Sequence, residues 1–199
     1  MQPARAFSAA FPTARLHLRR YDSSDAQAVL QLMDRNRGRL LRNFPELANG
    51  VKTVDEASAY IGAGEKQWED GAAFSYGIWL PPHPAPIGQV RIKNIVWNVP
   101  AAELSYFVDH DYLRRGVATE AIRAVLREAF DARGFRRIYV RVISLNEESL
   151  ALAHRLNLRH EGVQRNAFRC GFGELHDVHL FALTDADHRS AASDSGAGE

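Results

Sequence analysis

With 199 residues the chain has room for one ordinary domain and too little for two full ones, and a hydrophobic content of 46% suffices for a sizeable core. Lys and Arg number 25 against 24 for Asp and Glu, so a net charge of +1 gives no global pull towards nucleic acid or an anionic membrane, and any anion site has to be local. No apolar run is long enough to span a bilayer, no basic-then-apolar secretory leader opens the chain, and the single Cys170 excludes an internal disulfide framework, so a cytoplasmic protein is expected.

Residues 1–14, with two prolines and several small residues, read as a loose lead-in, followed by a first strand over 15–20. Ser23 or Ser24 then caps a helix with Ala28, Val29, Leu32 and Met33 on its apolar stripe. Over 35–45 the helical period weakens, Gly38 interrupts it and Pro45 stops it; the arginines of this stretch read as a solvated face. Thr53-Val54-Asp55-Glu56 has the spacing of a capping box and opens a helix to about Glu69, with Gly71 just past its end. Strands over 73–80 and 87–97 flank a turn containing four prolines, Pro81, Pro82, Pro84 and Pro86.

The next stretch organises the rest. Leu104, Tyr106 and Val108 alternate with Glu103, Ser105 and Phe107, the period of a strand, and Asp109, His110 and Asp111 end it. From Val117 the period becomes helical, with Ala121, Ile122, Val125, Leu126, Ala129 and Phe130 on one face. The opening turn of such a helix leaves N–H groups unpaired and carries a partial positive charge, which suits a phosphate. Gly116 lets a ligand approach the main chain, Ala118 adds little bulk, and Arg114 and Arg115 bring charge to the rim. Gly134 caps this helix, and Ile138, Val140 and Val142 mark the next strand over 137–143. A second strand-to-helix junction follows, with Asn146 as N-cap, Glu147 and Glu148 in the first turn, and Asn157 as a left-handed terminator. Strands over 161–168 and 175–183 complete the sheet, and residues 185–199, small and polar, read as a disordered tail.

The order is β-α-α-β-β-β-α-β-α-β-β, a mixed sheet of about seven strands with four helices. Two consecutive strand–helix units make parallel neighbours with right-handed crossover, and ligands in open α/β sheets bind beyond such strand ends.

These residues resemble the GNAT superfamily of acetyl-CoA-dependent N-acetyltransferases. AELSYFV, the loop DYLRRGVATEA, Asn146 with Ser149, and RLNLRHEGV resemble its branch that acetylates ribosomal-protein N-termini, and the likeness covers residues 15–184, read as a single acetyltransferase-like domain. The superfamily's pyrophosphate loop, Gln/Arg-x-x-Gly-x-Gly/Ala, falls on Leu113-Arg114-Arg115-Gly116-Val117-Ala118, with Leu113 departing from it. The resemblance implies an α/β fold with a mostly antiparallel sheet and one parallel, splayed central pair. It implies acetyl-CoA as donor and no metal. Main chain of Phe107 and Val108 would align the pantetheine arm, the turn of Arg114, Arg115, Gly116, Val117, Ala118 and Thr119 would hold the pyrophosphate, and Asn146 would bond the arm. The tyrosine that many members use to protonate the leaving thiolate is replaced by Ala153, and the ribosomal-protein branch has instead a serine one turn into the helix, here Ser149. Its late-turn glutamate has no convincing counterpart over 166–173, so that base is unassigned; Glu103, a carboxylate on the central strand, is the candidate to accept the amine proton through water, the other reading being a surface or edge carboxylate.

The acceptor is then a primary amine, with the protein a monomer or homodimer. At pH 7 an α-amine with pKa near 8 is about one-tenth neutral, against roughly one in 2,500 for a lysine, so an N-terminus needs less help. Small-molecule amines such as antibiotics or polyamines are the alternative, as is an acyl-CoA-binding module without turnover. Cys170 reads as an incidental thiol, and strand alternation over His176-Asp177-Val178-His179 separates the histidines and argues against a metal.

Overall fold

The computed structural model describes residues 7–196. Its sheet has eight strands rather than about seven, in the order β1-β2-β3-β4-β5-β6-β8-β7: β1 (Ala10–Pro12), β2 (His17–Arg19), β3 (Phe74–Trp79), β4 (Gly88–Val96), β5 (Ala101–Val108), β6 (Arg137–Ile143), β7 (Arg159–Arg169) and β8 (Leu175–Thr184). Every neighbouring pair is antiparallel except β5 with β6.

The extra strand, β1, lies in the segment read as a loose lead-in. Two tertiary anchors hold it: Phe7 is buried 4.3 Å from the Phe74 ring, and Ser8 donates from N–H and hydroxyl to Glu128 at 3.0 and 2.9 Å. Among the described residues six α-helices are found where four helices were expected: α1 (Ala26–Asn43), α2 (Pro45–Gly50), α3 (Val54–Glu69), α4 (Val117–Arg127), α5 (Glu147–Arg155) and α6 (Asp185–Gly196). Helix α6 replaces the expected disordered tail over residues 185–196, while 197–199 and the first six residues of the lead-in lie outside the described residues. Its first turn is fixed by a reciprocal Thr184–Asp187 bond and an Arg159–Asp187 ion pair at 2.8 Å.

Neither serine caps α1: its N-cap is Asp25, which makes no side-chain cap bond, and the 3-10 turn before it, Ser23–Asp25, is capped by Asp22, whose carboxylate accepts from the Ser24 N–H at 2.9 Å. Helix α1 runs unbroken past Gly38 to Asn43, and Pro45 opens α2 at a position where its missing N–H costs nothing. The left-handed terminators are found as read, with φ of 65° at Gly71, 70° at Gly134 and 58° at Asn157. Helix α4 buries Val117, Ala121, Ile122, Val125 and Leu126, and a π-helical turn over Glu128–Ala132 continues the stripe to Phe130. This face packs on Val90, Leu104, Ile138 and Val140 of the sheet, while α1 and α3 cover part of the other side with Val29, Met33, Ala57 and Ile61. Burying each such side chain stabilises the fold by about 1.5–3 kcal/mol before entropy is subtracted. Among the described residues no helix is long and apolar enough to cross a membrane.

Candidate active site

Strands β5 and β6 pair over only three positions, Ala101 with Arg137, Ala102 with Ile138 and Glu103 with Tyr139. Beyond Glu103 they part, while β5 stays paired with β4 as far as Val108. The β6-facing edge of β5 from Leu104 onward is thus free of sheet partners, as a groove for an extended ligand requires.

At the end of β5 the chain turns into α4 through two left-handed residues, Arg114 at φ 58° and Gly116 at φ 76°. Gly116 is the N-cap, and no side chain caps α4, in contrast with Thr53 on α3 and Asn146 on α5. The first-turn N–H groups of α4 are therefore left for a ligand. Leu113 is partly buried against the core, so the departing residue of the loop serves packing.

Helix α1 staples this turn. Arg35 donates from Nε and Nη2 to Oδ2 of the buried Asp109 at 3.1 and 2.9 Å, and Asn36 Oδ1 accepts from the His110 N–H at 3.0 Å. Burial works to raise the Asp109 pKa, but the bonds from Arg35 and Asn36 outweigh it and hold the carboxyl below its ordinary range. Arg37 donates to carbonyls of Ala48 and Val51, and Arg39 to the Val108 carbonyl at 3.1 Å. Arg35, Arg37 and Arg39 are thus tertiary fasteners rather than part of a solvated face, while Arg42 is exposed as its sequence suggested. Arg39 also occupies one of the two main-chain groups expected to align the pantetheine arm.

On α5, Asn146 Oδ1 accepts from the Ser149 N–H at 3.1 Å, and its Nδ2 donates to Asn43 Oδ1 at 3.0 Å. Asn146 is thus a helix cap and a bridge to α1. The Ser149 side chain faces the hydroxyl of Tyr106, whose pKa burial pushes up to about 12 while the nearby serine pulls the other way. Tyr106 is therefore a neutral hydroxyl at pH 7. It was read from sequence only as a core residue of β5; the available signal was that a buried tyrosine hydroxyl needs a partner.

Two clefts meet at this point. The first, about 580 Å³, runs from the Gly116 turn along α5 and is lined by every sequence-predicted cofactor residue except Arg115, and by Ser149. Arg115 turns aside, its guanidinium 5.4 Å from the Tyr112 ring and its carbonyl accepting from Arg15. The second, about 660 Å³, lies over the opposite end of the splay and is lined by Glu103, Ser105 and Arg141 among others. Asn43, Phe44, Tyr106, Phe107, Asn146 and Ser149 line both. Glu103 is buried in the second cleft, with Lys93 Nζ at 3.3 Å from Oε1 and Asn94 Nδ2 donating to Oε2 at 2.7 Å. The turn between β7 and β8 brings Cys170 Sγ to 4.0 Å and His176 Nε2 to 3.4 Å from Glu174 Oε2, while His179 faces His160 instead, at 3.1 Å.

The donors of the first cleft fit a coenzyme A thioester: uncapped helix N–H groups for the pyrophosphate, a guanidinium rim, and a strand edge for the arm. Comparison with known proteins agrees. Residues 15–159 match the acetyltransferase (GNAT) domain family. The chain is 24% identical over 173 residues to a probable N-acetyltransferase, YjcK, of Bacillus subtilis, covering 86% of this chain and 95% of that one. It is 25% identical over 177 residues to the ribosomal protein uS5-alanine N-acetyltransferase of Escherichia coli, covering 83% and 91%. A solved structure of a ribosomal L7/L12 alpha-N-protein acetyltransferase in complex with coenzyme A superposes with a TM-score of 0.80 at 25% identity, over 89% of this chain and 99% of that one. The splayed parallel pair, the uncapped turn at Gly116 and a family match over most of the chain place this protein in the GNAT family, as an acetyl-CoA-dependent N-acetyltransferase.

Proposed function

We propose that the acceptor is the α-amine of a protein or peptide N-terminus, acetylated by direct attack while both substrates are bound. The observation that carries this reading is the meeting of two clefts at Ser149 and Tyr106, one shaped for the donor and the other open to a second substrate. A volume of about 660 Å³ has room for several residues of an extended chain end. The ribosomal-protein acetyltransferases among its relatives support the same acceptor class.

In this mechanism acetyl-CoA supplies an activated acyl carbon. The amine nitrogen bonds to that carbon, the carbon–sulfur bond breaks, and its electron pair leaves with sulfur. Ser149 donates its hydroxyl proton to the departing thiolate as a hydrogen bond and then as the acid. Glu103 accepts the proton lost by the amine through an intervening water, so the protons balance once both groups exchange with solvent. Asn146, Gly116 and the first turn of α4 position the donor, and orienting two reactants in one gap supplies much of the rate enhancement.

The test is intact-mass detection of acetylation across free-amine peptides, the same peptides with blocked N-termini, a polyamine and an aminoglycoside. Acetylation confined to free N-termini is expected. Acetylation of the small amines with none on any peptide would overturn the assignment.

A further inference from the structure

The second cleft has an unusual charge balance. Arg91, Lys93, Arg141 and Arg169 line it, against Glu46 and Glu103. Lys93 and Glu103 are bound to each other at 3.3 Å, and Asn94 takes the other carboxylate oxygen, so this pair contributes little net charge. The three arginines bond only to neutral acceptors. Arg91 Nη2 donates to Gln67 Oε1 at 2.7 Å, Arg141 Nη2 approaches the Ala167 carbonyl at 3.5 Å, and Arg169 Nη1 donates to the Gly173 carbonyl at 2.6 Å. Among the described residues no carboxylate lies within ion-pairing distance of any of them, and Arg91 Nε is buried without a partner. With the chain's net charge at +1, this excess is a local feature of one wall.

Three guanidinium groups with carboxylate-binding capacity to spare, facing one cleft, make a receptor for an anion. They also act on the amine itself, because nearby positive charge disfavours an ammonium and so favours the neutral nucleophile. The same wall repels polycations. Resting on the N-terminal reading above, we propose that this enzyme selects N-termini carrying a carboxylate side chain within the first few residues after the acceptor amine, with Arg141 and Arg169 as its specificity-determining contacts. Both are exposed on strands that border the cleft, β6 just beyond its last pairing with β5 and β7 at its end, where a chain leaving the gap would pass.

The experiment compares peptides with one common N-terminal residue and Glu, Gln or Lys at positions two to four, in holo conditions with saturating acetyl-CoA. We expect kcat/KM for the Glu series to exceed the Lys series by about tenfold or more, and the gap to shrink as salt is raised. The double variant Arg141→Gln/Arg169→Gln should bring the ratio to within about threefold while leaving the Gln series the least affected. Equal or reversed ratios in the wild type would overturn the charge selection and leave the peptide reading standing. Failure of every peptide, with a small amine acetylated instead, would overturn both. A wild-type preference that survives the double variant would remove Arg141 and Arg169 as its source.

Discussion

Replacing Ser149 with alanine removes the only hydroxyl of α5 that lines both clefts, and with it the hydroxyl that faces Tyr106. A hydrogen bond to a group that becomes charged is worth about 1.5–3 kcal/mol, so kcat should fall roughly 10- to 150-fold. The acetyl-CoA KM should change little, because the sulfur gains its charge only as the bond breaks. Tyr106→Phe removes a neutral partner worth about 1 kcal/mol, which predicts roughly a fivefold loss in kcat. Tyr106 acts only through Ser149 in this scheme, so the double variant should be no slower than Ser149→Ala alone, a coupling of about 1 kcal/mol. The assay is thiol release at saturating acetyl-CoA and peptide, with thermal unfolding to confirm that each variant folds. A Ser149→Ala rate within twofold of wild type would refute the proton-donor role, and strictly additive losses would refute the hydroxyl pair as a unit.

Arg35→Ala leaves Asp109 buried without its ion-pair partner, which should cost about 2–3 kcal/mol at pH 7 by urea denaturation. The folded Asp109 pKa lies below its unfolded value, so the pair's contribution is present above the unfolded carboxylate pKa of about 4 and lost as pH falls through the folded pKa; the gap between wild type and variant should close on the acid side of that range. A difference that persists undiminished at low pH would contradict this. Gly116→Val places a β-branched residue at φ 76°, with strain of about 1–3 kcal/mol, and should weaken acetyl-CoA binding by calorimetry more than it lowers the melting temperature relative to Gly50→Ala. Glu103→Gln should lower kcat about 100-fold at saturating acetyl-CoA and peptide; a rate within twofold of wild type would make the residue a structural partner of Lys93.

Signals carried by neighbours in the chain were legible before any coordinates. The alternation through Leu104 and Val108, the stripe from Val117 to Phe130, the caps at Thr53 and Asn146 and the left-handed Gly134 all depend on residues a few positions apart. What could not be read depends on chain segments meeting late. Ser8 reaches Glu128 across 120 positions and Arg35 reaches Asp109 across 74, and neither pairing leaves a local trace. The arginine wall was hidden for the same reason: Arg91, Arg141 and Arg169 sit on three strands that only the sheet order brings to one cleft. Asn146 shows the intermediate case, its cap evident from spacing and its second bond, to Asn43, invisible.

Helix α1 touches both substrates' territories, since its Arg35 and Asn36 grip the turn before Gly116 and its Asn43 borders the junction of the clefts. Those grips are about eight residues, roughly 12 Å, apart on a rod that cannot bend without losing its internal bonds. Docking the diphosphate would steady that rod before the polypeptide arrives. Loading should accordingly be sequential, nucleotide first, with product-inhibition patterns in which free coenzyme A competes with the thioester alone.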